Sequence, residues 1–88
     1  AEIAYVLPPY VGTGMQIDWR TLTAVGDKLA FNVYGYKKTT QGLTMEKYTV
    51  YGNEKTFQEY EVKYLFNLNG KLGAVVWTDK KAAILVEK

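Results

Sequence analysis

The chain has 88 residues and a formal net charge of +2, from 11 basic and 9 acidic side chains. This length fits a single domain, which we place at residues 1–88. The sequence has no cysteine and no histidine, which excludes disulfides, thiolate metal sites and the most common general base. We therefore predict no metal, no cofactor and no catalytic residue. No apolar run approaches the roughly 20 residues of a membrane span.

The N-terminal part predicts two short strands with a bend between them. Ile3 to Leu7 is an apolar run, and Pro8-Pro9 would end it because proline cannot donate to a ladder. Gly12-Thr13-Gly14 lacks the further glycine and the lysine of a phosphate loop, so we interpret it as a bend. Alternation from Met15 to Trp19 predicts the second strand.

The next segment is ambiguous before a long strand begins. Asp18 to Leu22 has the composition of one helical turn, capped by Asp18 and with Leu22 packed inward. After the Gly26-Asp27 turn, Lys28 to Lys38 has apolar residues on both faces, which predicts a central strand. Gly35 within it indicates a bulge or a bend.

The strongest period-two pattern lies between Thr56 and Phe66. Leu43 to Tyr51 precedes it as a strand whose buried face the pattern does not assign. In the strong pattern, the apolar side chains alternate with Glu59, Glu61, Lys63 and Leu65; they are Tyr60, Val62, Tyr64 and Phe66. We expect Val62 and Tyr64 to be largely buried.

The C-terminal part predicts a hairpin and a closing strand. Asn69-Gly70 is a strong two-residue turn signal, followed by the apolar strand Leu72–Trp77 and the segment Ala82–Val86. A C-terminal helix with Asp79 as its N-cap is the alternative, because alanine favours helix. The predicted fold is all-β: a single antiparallel meander of six to seven strands, forming a twisted sheet or a small barrel.

Carboxylates are the first candidates for chemistry. Those on predicted strands are Asp18, Glu46, Glu59 and Glu61. A glycosidase-like pair would place Glu59 and Glu61 on one face, but a half-buried strand also needs a polar face. We interpret these residues as that solvated face and predict that the chain is not an enzyme.

Aromatic side chains are the better functional clue. The chain has eight Tyr, three Phe and two Trp, and such rings form either the core or a platform for sugars, bases or a protein. Trp19 is interpreted as a core or interface anchor. The predicted residues for ligand or partner binding are Tyr34, Tyr36, Tyr48, Tyr51 and Trp77.

Three segments together resemble the surface-adhesin protein E-like family of small bacterial envelope proteins. They are GMQIDWRTLTAVGDKLAFNVYGY, EKYTVYG and TFQEYEVKYLFNLNGKL. The matching residues are Ile17, Asp18, Leu22, Gly26, Asp27, Tyr48, Tyr60, Asn69, Gly70 and Lys71. Gly52 stands where the family often has cysteine. The resemblance implies export, a six-stranded antiparallel sheet sometimes paired as a dimer, and a surface or binding role.

The function predicted from the sequence is a non-enzymatic binding or structural domain with a protein partner. We expect it to be secreted or in the cell envelope, because Ala1-Glu2 resembles a mature exported start. A homodimer is expected if Leu72–Trp77 lies at a sheet edge, with Trp77 at the interface. The alternatives are a carbohydrate- or oligonucleotide-binding barrel that uses the tyrosines, and an enzyme-inhibitor or carboxylate-based enzyme module. Nucleic acid is not expected, since Lys37-Lys38 and Lys80-Lys81 are the only adjacent basic pairs.

Overall fold

The computed structural model describes residues 1–9 and 14–87, and these form seven strands and no helix. The strands are β1 (Met15–Val25), β2 (Lys28–Thr39), β3 (Gly42–Tyr51), β4 (Glu54–Thr56), β5 (Glu61–Leu68), β6 (Lys71–Trp77) and β7 (Ala82–Val86). The prediction of an all-β antiparallel chain of six to seven strands is confirmed. The C-terminal helix alternative is wrong, because Ala83 and Leu85 alternate toward the core from a strand.

The strands divide into two open antiparallel sheets. Sheet A has the order β1-β2-β3-β4, and sheet B has the order β5-β6-β7. The central position predicted for the long strand at Lys28 is confirmed, since β2 pairs with both β1 and β3. The premise that Leu72–Trp77 lies at an edge is wrong, because β6 lies between β5 and β7.

Two turns have the backbone that their residues favour. Asn69 and Gly70 connect β5 to β6 with φ of 51° and 87°, and Gly52 and Asn53 connect β3 to β4 with φ of 59° and 68°. Paired positive φ values match the twist of the flanking strands, and asparagine and glycine adopt them at low cost. The hairpin predicted from the Asn69-Gly70 pair is confirmed.

Gly35 has a different role from the predicted bulge. The register of β2 with both neighbours is regular at this position. A Cβ added to Gly35 would collide with the carbonyl oxygen of Gly14 and the sulfur of Met15. Glycine is therefore required there by the close approach of another part of the backbone.

The N-terminal segment is not a strand. Residues 1–8 pair with no sheet, so the prediction for Ile3 to Leu7 is wrong. Side chains anchor the segment instead: the Tyr5 hydroxyl donates to Asn53 Oδ1 at 2.7 Å, and Asn53 Nδ2 donates to the carbonyl of Val6 at 3.3 Å. The bend predicted at Gly12-Thr13-Gly14 lies outside the described residues except for Gly14.

Strand β1 contains an irregularity where the helical turn was predicted. Its pairing with β2 shifts between Asp18 and Thr23, and the chain remains extended. Thr21 is buried in this bulge, whereas Leu22 is 44% exposed. The helical turn with Leu22 packed inward is therefore wrong. The Asp18 carboxylate does accept from the backbone N–H of Arg20, at 3.2 Å.

The predicted strand Thr56–Phe66 is interrupted. Strand β4 ends at Thr56, Phe57 has φ of 51°, and β5 begins only at Glu61. Within β5, Val62 pairs with Val76, but Tyr64 pairs with Val75, so Lys63 is a bulge.

The bulge at Lys63 decides which side chains of β5 face the core. A single extra residue reverses the faces beyond it. Val62 is 4% exposed, as predicted, but Tyr64 is 66% exposed, and the prediction of a buried Tyr64 is wrong. Leu65 takes the inward position in its place.

A buried polar network joins the two sheets. Asn32 on β2 is 2% exposed; its Nδ2 donates to the carbonyl of Val62 on β5 at 3.0 Å. Its Oδ1 accepts from the hydroxyl of Thr49 at 2.6 Å. Beside this network, Phe57 packs against core residues of both sheets. The sheets therefore share one interior, with β1 lying next to β5.

Candidate functional site

One face of sheet B points to the interior and the other to solvent. The side chains that point to the interior are Val62, Leu65, Leu72, Ala74, Val76, Ala83 and Leu85. The residues of the opposite face, which we call the outer face, are Glu61, Tyr64, Phe66, Leu68, Lys71, Gly73, Val75, Trp77, Ala82, Ile84 and Val86, by strand alternation and register. The charged members of the outer face are Glu61, which pairs with Lys63, and Lys71 at the opposite end of the strands.

The outer face is apolar and exposed. Tyr64 is 66% exposed, Ile84 62% and Trp77 48%, and the register places Tyr64, Val75 and Ile84 side by side across the three strands. An antiparallel sheet that covers a core usually turns a polar face to solvent. Sheet B has apolar side chains on both faces, which makes the outer face a candidate interaction surface.

The ring of Phe66 covers Gly73 at one corner of this face. Phe66 lies opposite Gly73, and a Cβ added to Gly73 would lie 2.6 Å from the Phe66 ring. The ring therefore lies over the glycine and fills the space that a side chain would occupy. Val86 on β7 pairs with Gly73, so it lies beside the glycine that the ring covers.

A groove adjoins the outer face where sheet A meets β5. We call it the junction groove; its volume is about 400 Å³, and it is lined by Asp18, Arg20, Thr21, Lys47, Val62, Lys63, Tyr64 and Trp77. A neighbouring depression shares Asp18, Arg20 and Lys47 and adds Trp19, which is 64% exposed. Tyr64 and Trp77 belong to both the groove and the outer face.

Ion pairs within single strands offset part of the positive charge of the groove. Arg20 Nε lies 3.1 Å from Asp18 Oδ1, and Lys63 Nζ lies 2.8 Å from Glu61 Oε1. The hydrogen bond from Arg20 lowers the pKa of Asp18, and the hydrogen bond from Lys63 lowers the pKa of Glu61. The charge of Lys47 lowers the pKa of both carboxyl groups further. Both carboxylates are therefore ionised at neutral pH.

This electrostatic arrangement bears on the carboxylate-pair hypothesis. A glycosidase acid needs a raised pKa, whereas the pKa of Glu61 is lowered. Glu59 lies in the turn before β5 and not on a strand face with Glu61 as predicted, although both residues line one depression. Among the described residues, no three acidic side chains are placed to hold a metal ion.

The predicted binding residues do not form one cluster. Tyr34 and Tyr36 lie on one face of β2; the Tyr34 hydroxyl donates to Gln16 Oε1 at 3.3 Å, and Tyr36 is 66% exposed. Tyr48 packs against the Phe31 cluster on the opposite face of sheet A. Tyr51 packs against Val25, Ala30 and Leu72. Of the five predicted residues, Trp77 alone belongs to the outer face.

Part of the outer face and of its ion pairs could be predicted from the sequence. Ala82, Ile84 and Val86 alternate with Ala83 and Leu85. The sequence itself therefore indicates that both faces of β7 are apolar. Tyr64 was assigned to the wrong face because nothing in the local pattern marks Lys63 as a bulge. Arg20 and Lys63 also lie two residues from their partner carboxylates, a spacing that puts both on one strand face when the strand is regular.

Comparison with known proteins does not extend this description: no protein family, curated protein or solved structure matches the chain. Across the described residues there is no helix with the length and apolar character needed to cross a membrane.

Proposed function

We propose that the chain is a small non-enzymatic binding domain, exported or associated with a bacterial cell envelope, that binds proteins through the outer face of sheet B. Self-association with a second copy of the chain is proposed as well, through a different part of sheet B. The observation that carries the proposal is the exposure of Tyr64, Trp77 and Ile84 on a face whose charged residues, Glu61 and Lys71, lie at its opposite ends. Export and the envelope rest on the resemblance to the surface-adhesin protein E-like family.

The chemistry of the surface favours protein over the other ligand classes. Aromatic residues and arginine are enriched at the centre of protein interfaces, and charged pairs are common at the rim. Tyr64 and Trp77 are such rings, and the Arg20–Asp18 pair lies at their margin in the junction groove. The groove has three cations and one carboxylate along its lining, to which Glu61 adds a second beside Lys63. This near balance disfavours nucleic acid, which requires a clustered basic stripe.

Carbohydrate is the second candidate. Trp19, Tyr34 and Asp18 line one depression of about 560 Å³, and rings beside carboxylates are suited to sugars. However, the Asp18 carboxylate already accepts from Arg20, which leaves less capacity for sugar hydroxyls. Protein ranks above carbohydrate as the ligand because Arg20 already occupies the Asp18 carboxylate and because the outer face is apolar.

A direct test compares binding by matched surface variants. The purified domain is assayed against an array of secreted and envelope proteins and against a glycan array. Tyr64→Ser and Trp77→Ser are expected to weaken protein binding by about ten-fold or more. Leu43→Ser, which removes a 73% exposed side chain from β3, is the control and is expected to bind as the parent does. Binding to glycans alone, lost in Trp19→Ser, would replace protein with carbohydrate as the ligand.

The absence of enzymatic activity is tested separately. We expect no turnover on a panel of glycosides and esters. Reproducible hydrolysis that is lost in Glu59→Gln or Glu61→Gln would make the chain an enzyme and would overturn the proposal.

A further inference from the structure

The four strand edges of the two sheets differ in how they are covered. Strands β1 and β5 lie against each other, and Thr23 Oγ1 donates to the carbonyl of Leu65 at 3.3 Å. Strand β4 has only three residues. Strand β7 has five residues, all apolar, with a regular register to β6 and no bulge. Natural edge strands are usually blunted by charge, proline or a bulge, and none of these lies within β7.

The hydrogen-bond pattern shows which groups of β7 are free. Glu87 N donates to the carbonyl of Leu72, and Thr78 N donates to the carbonyl of Lys81, both at 2.8 Å. In an antiparallel pair, these bonds recur at every second residue. The odd-numbered residues from 81 to 87 therefore direct their backbone N–H and C=O groups toward β6. Ala82, Ile84 and Val86 direct theirs away from it. Within residues 1–9 and 14–87, β7 pairs with β6 alone, and no turn or loop backbone group bonds to these three residues.

We infer that β7 pairs with β7 of a second copy, antiparallel and centred on Ile84, to form a continuous six-stranded sheet. This inference rests on the proposed function in taking protein association as the role of sheet B. The register centred on Ile84 pairs Ile84 with itself and Ala82 with Val86 of the second copy. All three outward N–H groups and all three outward carbonyls of each copy then have partners.

Charge complementarity selects the second copy as the occupant. The same register places Lys81 opposite Glu87 of the second copy, and the two-fold axis generates this pair twice. Opposite charges at facing positions of an antiparallel pair are favourable, and like charges are not. One oxygen of Glu87 already accepts from the hydroxyl of Thr56 at 2.7 Å, which holds the carboxylate at the end of the strand and leaves its second oxygen for lysine.

The pairing also covers apolar surface on both sides of β7. Ile84 is 62% exposed and Val86 42%, and even the inward-facing Ala83 and Leu85 are only partly buried. Residues paired across the axis share a face, so the two outer faces become one surface. The dimer then presents Tyr64 and Trp77 twice on a single platform, which makes binding to a repeated or dimeric partner bivalent.

The test uses the hydrogen-bond pattern of the edge. Ile84→Pro removes an N–H that points away from β6, so the β6–β7 ladder is retained. Light scattering across a dilution series should give twice the 10.0 kDa chain mass for the parent and for Ile84→Val, and the monomer mass for Ile84→Pro. Circular dichroism of Ile84→Pro should match the parent, which separates loss of pairing from loss of fold.

Exchanging the charges at positions 81 and 87 tests the register of the β7 pair independently. Lys81→Glu and Glu87→Lys each place like charges opposite one another and should weaken dimerisation by about ten-fold or more. The double variant restores opposite charges and should recover the parent constant to within about three-fold. A failure of the double variant to recover would exclude this register.

The remaining outcomes separate this inference from the proposed function. Tyr64→Ser should leave the dimer mass unchanged, because Tyr64 lies on β5. A monomeric parent at all concentrations, or a dimer that persists in Ile84→Pro, overturns the β7 pairing while leaving the outer face as a protein-binding surface. A dimer that dissociates in Ile84→Pro, with protein binding unaffected by Tyr64→Ser and Trp77→Ser, supports the pairing and overturns the proposed function.

Discussion

At the scale of single residues, Thr21 shows how a side chain replaces a backbone partner. The bulge in β1 removes the backbone acceptor that a regular register would offer to Asn32. The Thr21 hydroxyl takes its place: it accepts from the backbone N–H of Asn32 at 2.7 Å and donates to the carbonyl of Asp18 at 2.7 Å. Since Asn32 is buried, the bulge depends on a hydroxyl at position 21.

Thr21→Val should therefore cost more than its small change in shape suggests. The substitution leaves the buried N–H of Asn32 without an acceptor, and we expect the free energy of unfolding to fall by about 1–3 kcal/mol. Thr21→Ser keeps the hydroxyl and should lose less. Urea unfolding followed by circular dichroism gives both values. A larger loss in Thr21→Ser than in Thr21→Val would show that the methyl group of Thr21, and not its hydroxyl, stabilises the bulge.

Asp18 contributes to the loss of folding stability at acid pH. Its pKa is lowered from the ordinary value of 3.8, first by the hydrogen bond from Arg20. The folded state then binds fewer protons than the unfolded state, so this stabilisation is complete above the unfolded pKa and disappears as the pH falls through the folded one. Unfolding midpoints measured from about pH 6 to pH 2 should fall less steeply below pH 4 in Asp18→Asn than in the parent. Parallel curves for the two proteins would contradict this assignment.

At the scale of elements, β5 shows what the sequence determines and what it does not. Alternating side chains identified the segment as a strand, and Asn69-Gly70 placed its end, because both signals are local. The face of each residue beyond Lys63 was not predictable, since the bulge arises from pairing with β6. The separation of β4 from β5 was missed for the same reason: Phe57 turns inward to fill a gap between sheets that no local pattern describes.

A matched pair of substitutions tests the bulge. Val62→Asp should lower the free energy of unfolding by about 3 kcal/mol or more, because it buries an unpaired charge. Tyr64→Asp should lower it by about 1 kcal/mol or less, since Tyr64 is exposed. A regular strand, which would have Val62 and Tyr64 on one face, predicts large losses for both. Thermal unfolding of the two variants distinguishes these arrangements.

The same reasoning explains why the candidate site was only partly predictable. Trp77 was expected at an interface on the basis of its apolar neighbours, and it lies on the outer face. The edge position that the homodimer prediction assumes for its strand is wrong, however, and the sequence does not reveal the order of strands in a sheet. The apolar character of both faces of sheet B becomes visible only when the register aligns Tyr64, Val75 and Ile84.

At the scale of the whole molecule, the question is whether two small sheets fold as one unit. An isolated two-stranded hairpin is marginal, and independent stability needs three or more strands with a hydrophobic face. Here sheet B contributes Leu72 to a cluster with Val25 and Ala30 of sheet A, and Asn32 bonds across to Val62. Since the interior of each sheet is completed by the other, separate unfolding would expose apolar surface on both.

The two tryptophans allow this cooperativity to be measured, because Trp19 lies in sheet A and Trp77 in sheet B. Both are exposed, so Trp19→Phe and Trp77→Phe should each retain the fold and leave one fluorescent reporter. We expect the two single-tryptophan proteins to give coincident urea transitions. Asn32→Ala, added to each, removes the bond to Val62 and leaves the hydroxyl of Thr49 unpaired; it should lower both midpoints equally, with an unchanged slope and a loss of about 2 kcal/mol. A transition at Trp77 that precedes the one at Trp19 would show that sheet B unfolds first and that the shared core does not bind the two sheets into one cooperative unit.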